Sequence, residues 1–188
     1  MAVVLGTSCG FVIAAPTDDP AGVTHSPEDT VACALKVTAP AGNNKITEIG
    51  WYCDNATEAA LFYVGLYSHD VANDRPDVRL GVSSATGKGT TAGWKKATVD
   101  ITIVAGTIYW LGYFIGNTAT ATAGNYTTDA GAKTDIKTGQ SALPNPWSAS
   151  DATYGRLFAV YAVYTAVTGG TCKSNIPILL NQNLFGRI

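Results

Sequence analysis

Charge is scarce in this chain: Asp, Glu, Lys and Arg make up 14% of its 188 residues, against about 25% in an ordinary soluble domain. The net charge of -2 and pI near 5.5 come with no Lys/Arg cluster, so there is no basic footprint for a phosphate backbone and no nucleic acid is expected as partner. Long hydrophobic runs are missing too. Gly, Thr or Pro interrupts each apolar stretch well before the roughly 18 residues of a membrane helix, so no membrane partner is expected. The two histidines, His25 and His69, sit in no GxSxG, HExxH or Cys/His context, which leaves a catalytic triad or zinc hydrolase without support. The four cysteines, Cys9, Cys33, Cys53 and Cys172, form no CxxC pair and have no His at zinc spacing, which disfavours a metal cluster.

What is present is a succession of β-type segments rich in Val, Ile, Thr, Tyr and Trp, the residues that suit a pleated, half-buried surface. Strands are predicted at residues 3–12, 31–38, 45–52, 61–69, 78–83, 94–104, 107–115 and 157–167, with a terminal piece at 176–180. The fold class expected is all-β. Two faces can be read in several segments: Phe62, Val64 and Leu66 oppose Tyr63, Gly65 and Tyr67, while Leu111, Tyr113 and Ile115 oppose Trp110, Gly112 and Phe114. Residues 157–164 are apolar on both faces, so that strand is expected to lie centrally or under cover from another chain.

The turns are marked by Pro40-Ala-Gly-Asn-Asn44, by Gly87-Lys-Gly-Thr-Thr-Ala-Gly93 and by Ala105-Gly106, the last read as a hairpin. Residues 116–150 are polar and rich in Thr, Ala and Gly; so long a loop is normally functional or carries strands of its own, and Tyr126-Thr-Thr128 is a candidate. At 188 residues the chain is long enough for one large domain that buries about 70% of its unfolded surface. Three regions are distinguished: an N-terminal arm and loop at 1–30, a β domain at 31–167 and a C-terminal arm at 168–188.

Ile46-Thr-Glu-Ile-Gly-Trp51, residues 61–67, Gly93-Trp94 and Ala105-Gly-Thr-Ile-Tyr-Trp110 together resemble the jelly-roll sandwich of bacteriophage surface proteins and of extracellular adhesion or carbohydrate-binding modules. The resemblance covers about residues 31–167 and is structural rather than chemical. It implies an antiparallel two-sheet jelly-roll-like sandwich and a surface role, and it supplies no ligand site. The N-terminal stretch lacks a positive n-region and is broken by Gly6, Thr7, Ser8 and Gly10, so no cleaved signal peptide is expected. A virion subunit is thereby favoured over a secreted binding appendage.

Among the tryptophans, Trp51, Trp94 and Trp110 read as large aromatics that close the core. Trp147 follows Pro144 and Pro146 in a polar loop with Asn145, Ser148 and Asp151; either it anchors that loop or it presents its ring to a surface glycan, with Tyr126 and Asn145 as companions. His69, Asp70, Asn73, Asp74 and Asp77, with Asp54, Asn55 and Glu58, are oxygen-rich but match no calcium loop, and read as a solvated edge. Gly87-Lys-Gly-Thr90 lacks the spacing of a phosphate cradle. Asp18, Asp19, Glu28 and Asp29 lie in an open polar segment that would not separate two carboxyl pKa values. The sequons at Asn55 and Asn125 matter only on a glycosylating route. The cysteines are either buried thiols or partners in bridges, Cys33 with Cys53 across strands or Cys9 with Cys172 between the arms. No cofactor is expected.

The arms are the most suggestive feature. Val4, Leu5 and Phe11 at one end, and Ile178, Leu180 and Phe185 at the other, are too apolar to remain in water. Either each arm folds back as an edge strand on its own domain, or it adds to the sheet of a neighbour, with another copy or a major shell protein as partner. The expectation is a non-enzymatic, self-assembling structural subunit on a virion or extracellular surface, with a carbohydrate-binding adhesion module as the alternative.

Overall fold

The computed structural model describes residues 2–25, 30–42, 44–54, 59–116 and 124–166. Among them there is no helix, and the protein is all-β, with strands β1 (Gly10–Val12), β2 (Val23–His25), β3 (Ala32–Thr38), β4 (Asn44–Cys53), β5 (Leu61–Asp70), β6 (Arg75–Val82), β7 (Thr86–Gly87), β8 (Gly93–Ile103), β9 (Ile108–Gly116), β10 (Gly124–Thr128), β11 (Thr134–Lys137), β12 (Ala152–Tyr154), β13 (Arg156–Phe158) and β14 (Val160–Ala166). The largest sheet has the order β12-β11-β3-β9-β5-β6, with β7 also paired to β5. A second sheet runs β1-β14-β4-β8, and a short third one β13-β10-β2. Paired strands are antiparallel except β1, which lies parallel to β14 with Gly10 opposite Tyr161 and Val12 opposite Val163.

The main core lies between the first two sheets, and alternation builds it. In β8, Ala97, Val99, Ile101 and Ile103 are buried while Lys96, Thr98, Asp100 and Thr102 face out, the period-2 pattern of a sheet with one wet face. Across the gap, Trp51 of β4 stacks on Tyr113 of β9 with ring centroids 5.2 Å apart and planes 2° from parallel, and it meets Phe62 of β5 edge to face. Phe62, Val64, Leu66, Leu111, Tyr113 and Ile115 all enter this core.

The opposite face of the same strands is also buried. Ala32, Ala34, Tyr67, Trp110 and Phe114 form a second apolar cluster, covered by Leu143 and Trp147 from the 138–151 loop. Gly65 and Gly112 pair in the sheet and make the notch that seats Leu143: a Cβ on Gly65 would lie 3.3 Å from Leu143 Cδ1, and one on Gly112 3.5 Å from Leu143 Cδ2. Removing two side chains from the sheet surface lets a loop side chain sit directly on the backbone.

Several elements differ from their sequence-based expectation. Only residues 10–12 of the 3–12 segment form a strand. Residues 4–9 instead make a tight turn, in which Ser8 and Cys9 donate their N–H to the Val4 carbonyl and Ser8 Oγ accepts from the Val4 N–H at 2.9 Å. The positive φ of Gly6 (77°) and Gly10 (73°) directs the chain into that turn. Ala105-Gly106 is not a hairpin. It carries the chain from β8 in one sheet to β9 in the other, because both strands have a core face and those faces look at each other. The 157–167 strand is broken at Ala159, whose N–H donates to the Asn125 carbonyl and whose carbonyl accepts from Tyr52; the two halves belong to different sheets. The 124–137 region supplies β10 and β11, and Tyr126 lies in β10. The strand expected at 176–180 lies outside the described residues, as do Glu28, Asp29, Asn55, Glu58 and Cys172.

Candidate functional site

The residues expected to form a binding patch are not brought together. Tyr126 is on the small third sheet, where the Arg156 guanidinium lies 4.3 Å from its ring centroid and Phe158 stacks against it at 5.6 Å. Trp147 is 1% exposed and packs edge to face on Tyr67 at 5.2 Å. Its ring offers no open face to a sugar, so the glycan reading of Trp147 gives way to the loop-anchor alternative. Asn145 is engaged as well: its Oδ1 accepts from the Arg79 N–H at 3.1 Å, while the Trp147 N–H donates to the Asp77 carbonyl at 2.8 Å. Tyr67 completes the attachment, its hydroxyl donating to the Pro144 carbonyl at 2.8 Å. Burial pushes the Tyr67 hydroxyl pKa upward despite the nearby Arg79. Together these bonds close part of the outer edge of β6, so Trp147 and Asn145 serve the sheet rather than a ligand.

The N-terminal arm folds onto its own domain. β1 extends the second sheet, Phe11 meets Tyr164 edge to face at 6.3 Å, and the Val3 N–H donates to Thr127 Oγ1 at 3.2 Å. Beyond β1 the chain crosses the outer surface of that sheet, where Trp94 Nε1 donates to the Asp18 carbonyl at 2.9 Å and Trp94 packs on Tyr161. Tyr161 lies flat over Gly50 and donates to Glu48 Oε1 at 2.8 Å. Of the two alternatives for an arm, residues 2–25 take the intramolecular one. Three side chains nonetheless stay out in solvent: Val4, Leu5 and Ile13 are 43%, 58% and 81% exposed. Ile178, Leu180 and Phe185 lie outside the described residues.

Beside this arm runs an open groove of about 940 Å³. Leu5 and Phe11 form one wall, Val37, Thr38 and Pro40 continue from β3, Leu157 contributes from β13, and the 129–133 turn with Tyr154 closes the far side. At one end stands a charged cluster. The Asp74 carboxylate bridges the ammonium groups of Lys36 and Lys133, the latter at 3.1 Å, and His69 Nε2 lies 3.6 Å from Asp74 Oδ1. The two lysine contacts, Lys36 first, hold the Asp74 carboxyl below its ordinary value. His69 Nδ1 in turn accepts from Trp110 Nε1 at 3.2 Å, and Lys133 Nζ sits 5.8 Å above the Trp110 ring. Lys36 of β3 and Lys133, just before β11, thus meet on one turn, and both line the groove.

Of the oxygen-rich group around His69 and Asp54, the carboxylates of Asp54, Asp70 and Asp74 have protein partners. Asp70 accepts from the Asn73 side-chain amide at 2.7 Å, then from the Asn73 and Ala72 N–H groups and from Arg75, which together lower its pKa, and Asp74 is paired as described. Asp54 accepts from Thr24. Cys9, Cys33 and Cys53 are buried, and burial pushes the Cys9 thiol from 9.0 up to about 12, so it is held as a protonated apolar group. Asn125 is 2% exposed, out of reach of a glycosylating enzyme in the folded chain.

Lys36, Lys133, Tyr154 and Leu157 are groove residues that sequence reasoning did not single out. Each is ordinary in its own segment; the pairing of β3 with β11 and β11 with β12 brings Lys36, Lys133 and Tyr154 near one another, and Leu157 joins them from β13. No protein-family model matches this sequence, and no curated protein matches it either.

Proposed function

We propose that this chain is a non-enzymatic structural subunit, a jelly-roll-like two-sheet sandwich that associates with further copies of itself. The jelly-roll reading is supported by the path of the chain, which alternates between the facing sheets from β3 to β4 to β5 and again from β6 through β8 to β9. The observation that carries the assembly reading is the display of apolar side chains on the N-terminal arm: Leu5, Val4 and Ile13 remain 58%, 43% and 81% exposed although their segment is docked. Apolar surface rimmed by polar groups is characteristic of protein–protein contact. The low charge of the chain, 14% of residues, reduces the like-charge repulsion that a close-packed array must overcome. The resemblance to phage surface proteins sets the proposed place: a capsid decoration, head or tail-fibre protein, with an extracellular filament subunit second. The partner is another copy or a major shell protein, and no cofactor is invoked.

Static light scattering of the full chain over a range of concentrations, followed by negative-stain microscopy, tests this. Masses that are multiples of 19.5 kDa and rings, tubes or lattices on the grid are expected. A monomer at every concentration overturns the proposal.

A further inference from the structure

We infer that β8 is a contact between two copies of this chain, each β8 lying antiparallel to the other about a dyad at Thr98. This inference rests on the self-assembly reading and names the strand and the register that would carry it.

The first observation is which edge is left open. Of the strands that end the three sheets, β1, β2, β12 and β13 have three residues each, and so short an edge is a poor template for a partner. β6 has eight, but Asn145 and Trp147 occupy part of its edge. β8 has eleven, pairs on one side with β4, and among the described residues has no strand or loop bonded to its other side. The two long edges are close together, since a Cβ on Gly81 of β6 would stand 2.6 Å from Ile101 Cδ1 of β8. The 138–151 loop guards one of them and leaves the longer one bare.

The second observation is the order of side chains along that edge. Lys96, Thr98, Asp100 and Thr102 are exposed in alternation, and the irregular step against β4 between Ile46 and Glu48 does not break the pattern. A lysine on an edge deters a second strand when nothing answers its charge. Here opposite charges stand two residues to either side of Thr98. Residues directly opposite in an antiparallel pair share a face, so a dyad at Thr98 sets Lys96 against the partner's Asp100 and Asp100 against the partner's Lys96. The same register brings Gly93 opposite Ile103, so the strand is paired from end to end. A dyad at Lys96 or at Asp100 would put like charges face to face instead. Within the chain Lys96 reaches Glu48 at 3.1 Å and Asp100 reaches Lys45 at 2.7 Å. The row across the contact then runs Glu48, Lys96, Asp100, Lys45, alternating in sign from one β4 to the other.

A strand cannot lie antiparallel to itself within one chain, so the occupant that this symmetry fits is a second copy. Backbone hydrogen bonds supply the affinity and the charged pairs select the register. The contact is isologous and closes at a dimer, in which two β1-β14-β4-β8 sheets become one continuous sheet. β1 lies at both ends of that sheet, where the exposed Leu5 and Ile13 stay free for further contacts.

The test uses full-length variants whose folding is checked by circular dichroism. Lys96→Asp and Asp100→Lys change side chains that are 58% and 74% exposed, and each places two like-charge pairs across the dyad. By light scattering the wild type is expected at twice the 19.5 kDa chain mass or a multiple of that. Each variant alone is expected to associate about tenfold or more weakly. An equimolar mixture is expected to recover wild-type association, because the introduced aspartate then faces the introduced lysine and the native pair is kept. The losses at Glu48 and Lys45 within each chain persist in the mixture, so recovery reports the contact alone. Independently of charge, Thr98→Cys sets two thiols face to face. A disulfide-linked pair beyond any that the wild type forms under the same air oxidation is expected, and its absence overturns the register. If either charge variant associates as the wild type does, assembly stands and β8 is not its contact. If both dissociate and the mixture does not recover, the charges act only within the chain and the inference is overturned. A wild type that is monomeric at every concentration overturns the self-assembly reading with it.

Discussion

Asn145 Oδ1 accepts a hydrogen bond from the backbone N–H of Arg79 at 3.1 Å. Arg79 is in β6, the last strand of the largest sheet, and its N–H belongs to the kind of unpaired row that invites another chain to add a strand. Two residues earlier, the Asp77 carbonyl is taken by the Trp147 N–H. The cover loop therefore performs two tasks. It buries the outer face of the sheet under Leu143 and Trp147, and it occupies part of the β6 edge.

Replacing Asn145 with Ala removes that acceptor from Arg79. A loss of about 1 kcal/mol in urea unfolding is expected, the ordinary net contribution of such a bond. Slow association through the freed edge is also expected, measurable as growth in scattered intensity with time. A variant that matches the wild type in both respects shows that Asn145 does not protect the edge.

Trp147→Ala separates the packing role of this residue from a ligand role. The side chain is buried against Tyr67, so truncation leaves a large cavity under the loop and a cost of about 3–5 kcal/mol is expected. Glycan-array signals of wild type and variant are expected to be equal. A variant of unchanged stability that loses a glycan signal restores the binding reading.

Glycines provide a sharper test of the sheet surface. A Cβ on Gly112 would lie 2.8 Å from Tyr67 Cε2, inside a packed cluster, so Gly112→Ala is expected to cost about 1–3 kcal/mol through overpacking. Gly87 has nothing within 4 Å of the same added atom, and Gly87→Ala is expected to stay within about 0.5 kcal/mol of wild type. Chemical denaturation of the two variants side by side measures the contrast. Equal costs show that the notch under Leu143 is not tightly filled.

Much of the architecture was legible in the residues. The alternation of β8 is plain from Ala97 to Ile103, and the two apolar faces of 61–67 and 110–115 announce a sheet covered on both sides. What covers the second face was not legible, because Leu143 and Trp147 sit in a polar, proline-containing loop whose local pattern carries no record of where it docks. Gly6 and Gly10 explain the failed 3–12 strand: the Val, Leu and Phe content suggested a strand, and backbone freedom at two positions redirected it. Ala105-Gly106 misled for another reason, since a tight turn between two strands has the same composition whether it joins neighbours in one sheet or spans two. The groove is the least legible part. Lys36, Asp74 and Lys133 look like separate surface charges until strand pairing assembles them.

The tautomer of His69 follows from its neighbour. An indole nitrogen can only donate, and Trp110 Nε1 lies 3.2 Å from His69 Nδ1, so Nδ1 carries the lone pair and the proton resides on Nε2, facing Asp74. Long-range nitrogen–proton NMR is expected to show the Nε2–H form of the neutral ring. Trp110→Phe withdraws the donor and is expected to admit the other tautomer. An Nδ1–H signature in the wild type contradicts the Trp110–His69 bond.

Stability is expected to fall at both ends of the pH scale, for opposite reasons. Hydrogen bonds and lysine or arginine partners lower the carboxyl pKa values of Asp70, Asp74 and Asp151 from 3.8. Each prefers its charged form in the fold, so its contribution is complete above 3.8 and is lost as pH falls through the folded value. All three are exposed enough for solvent to keep this acid limb shallow. Burial raises Cys9 from 9.0 to about 12, and burial with a hydrogen bond to Asp19 raises Tyr52 from 10.0 to about 12. These groups stay protonated in the fold after the unfolded chain has ionised. The unfolded state therefore gains stability as pH climbs from about 9 toward 12, and the protein loses it. Thermal melts between pH 2 and 12 should show a plateau from about 5 to 9 with a decline on either side, and Cys9→Ala should delay the alkaline decline. A decline that begins at the same pH in that variant removes Cys9 as its cause.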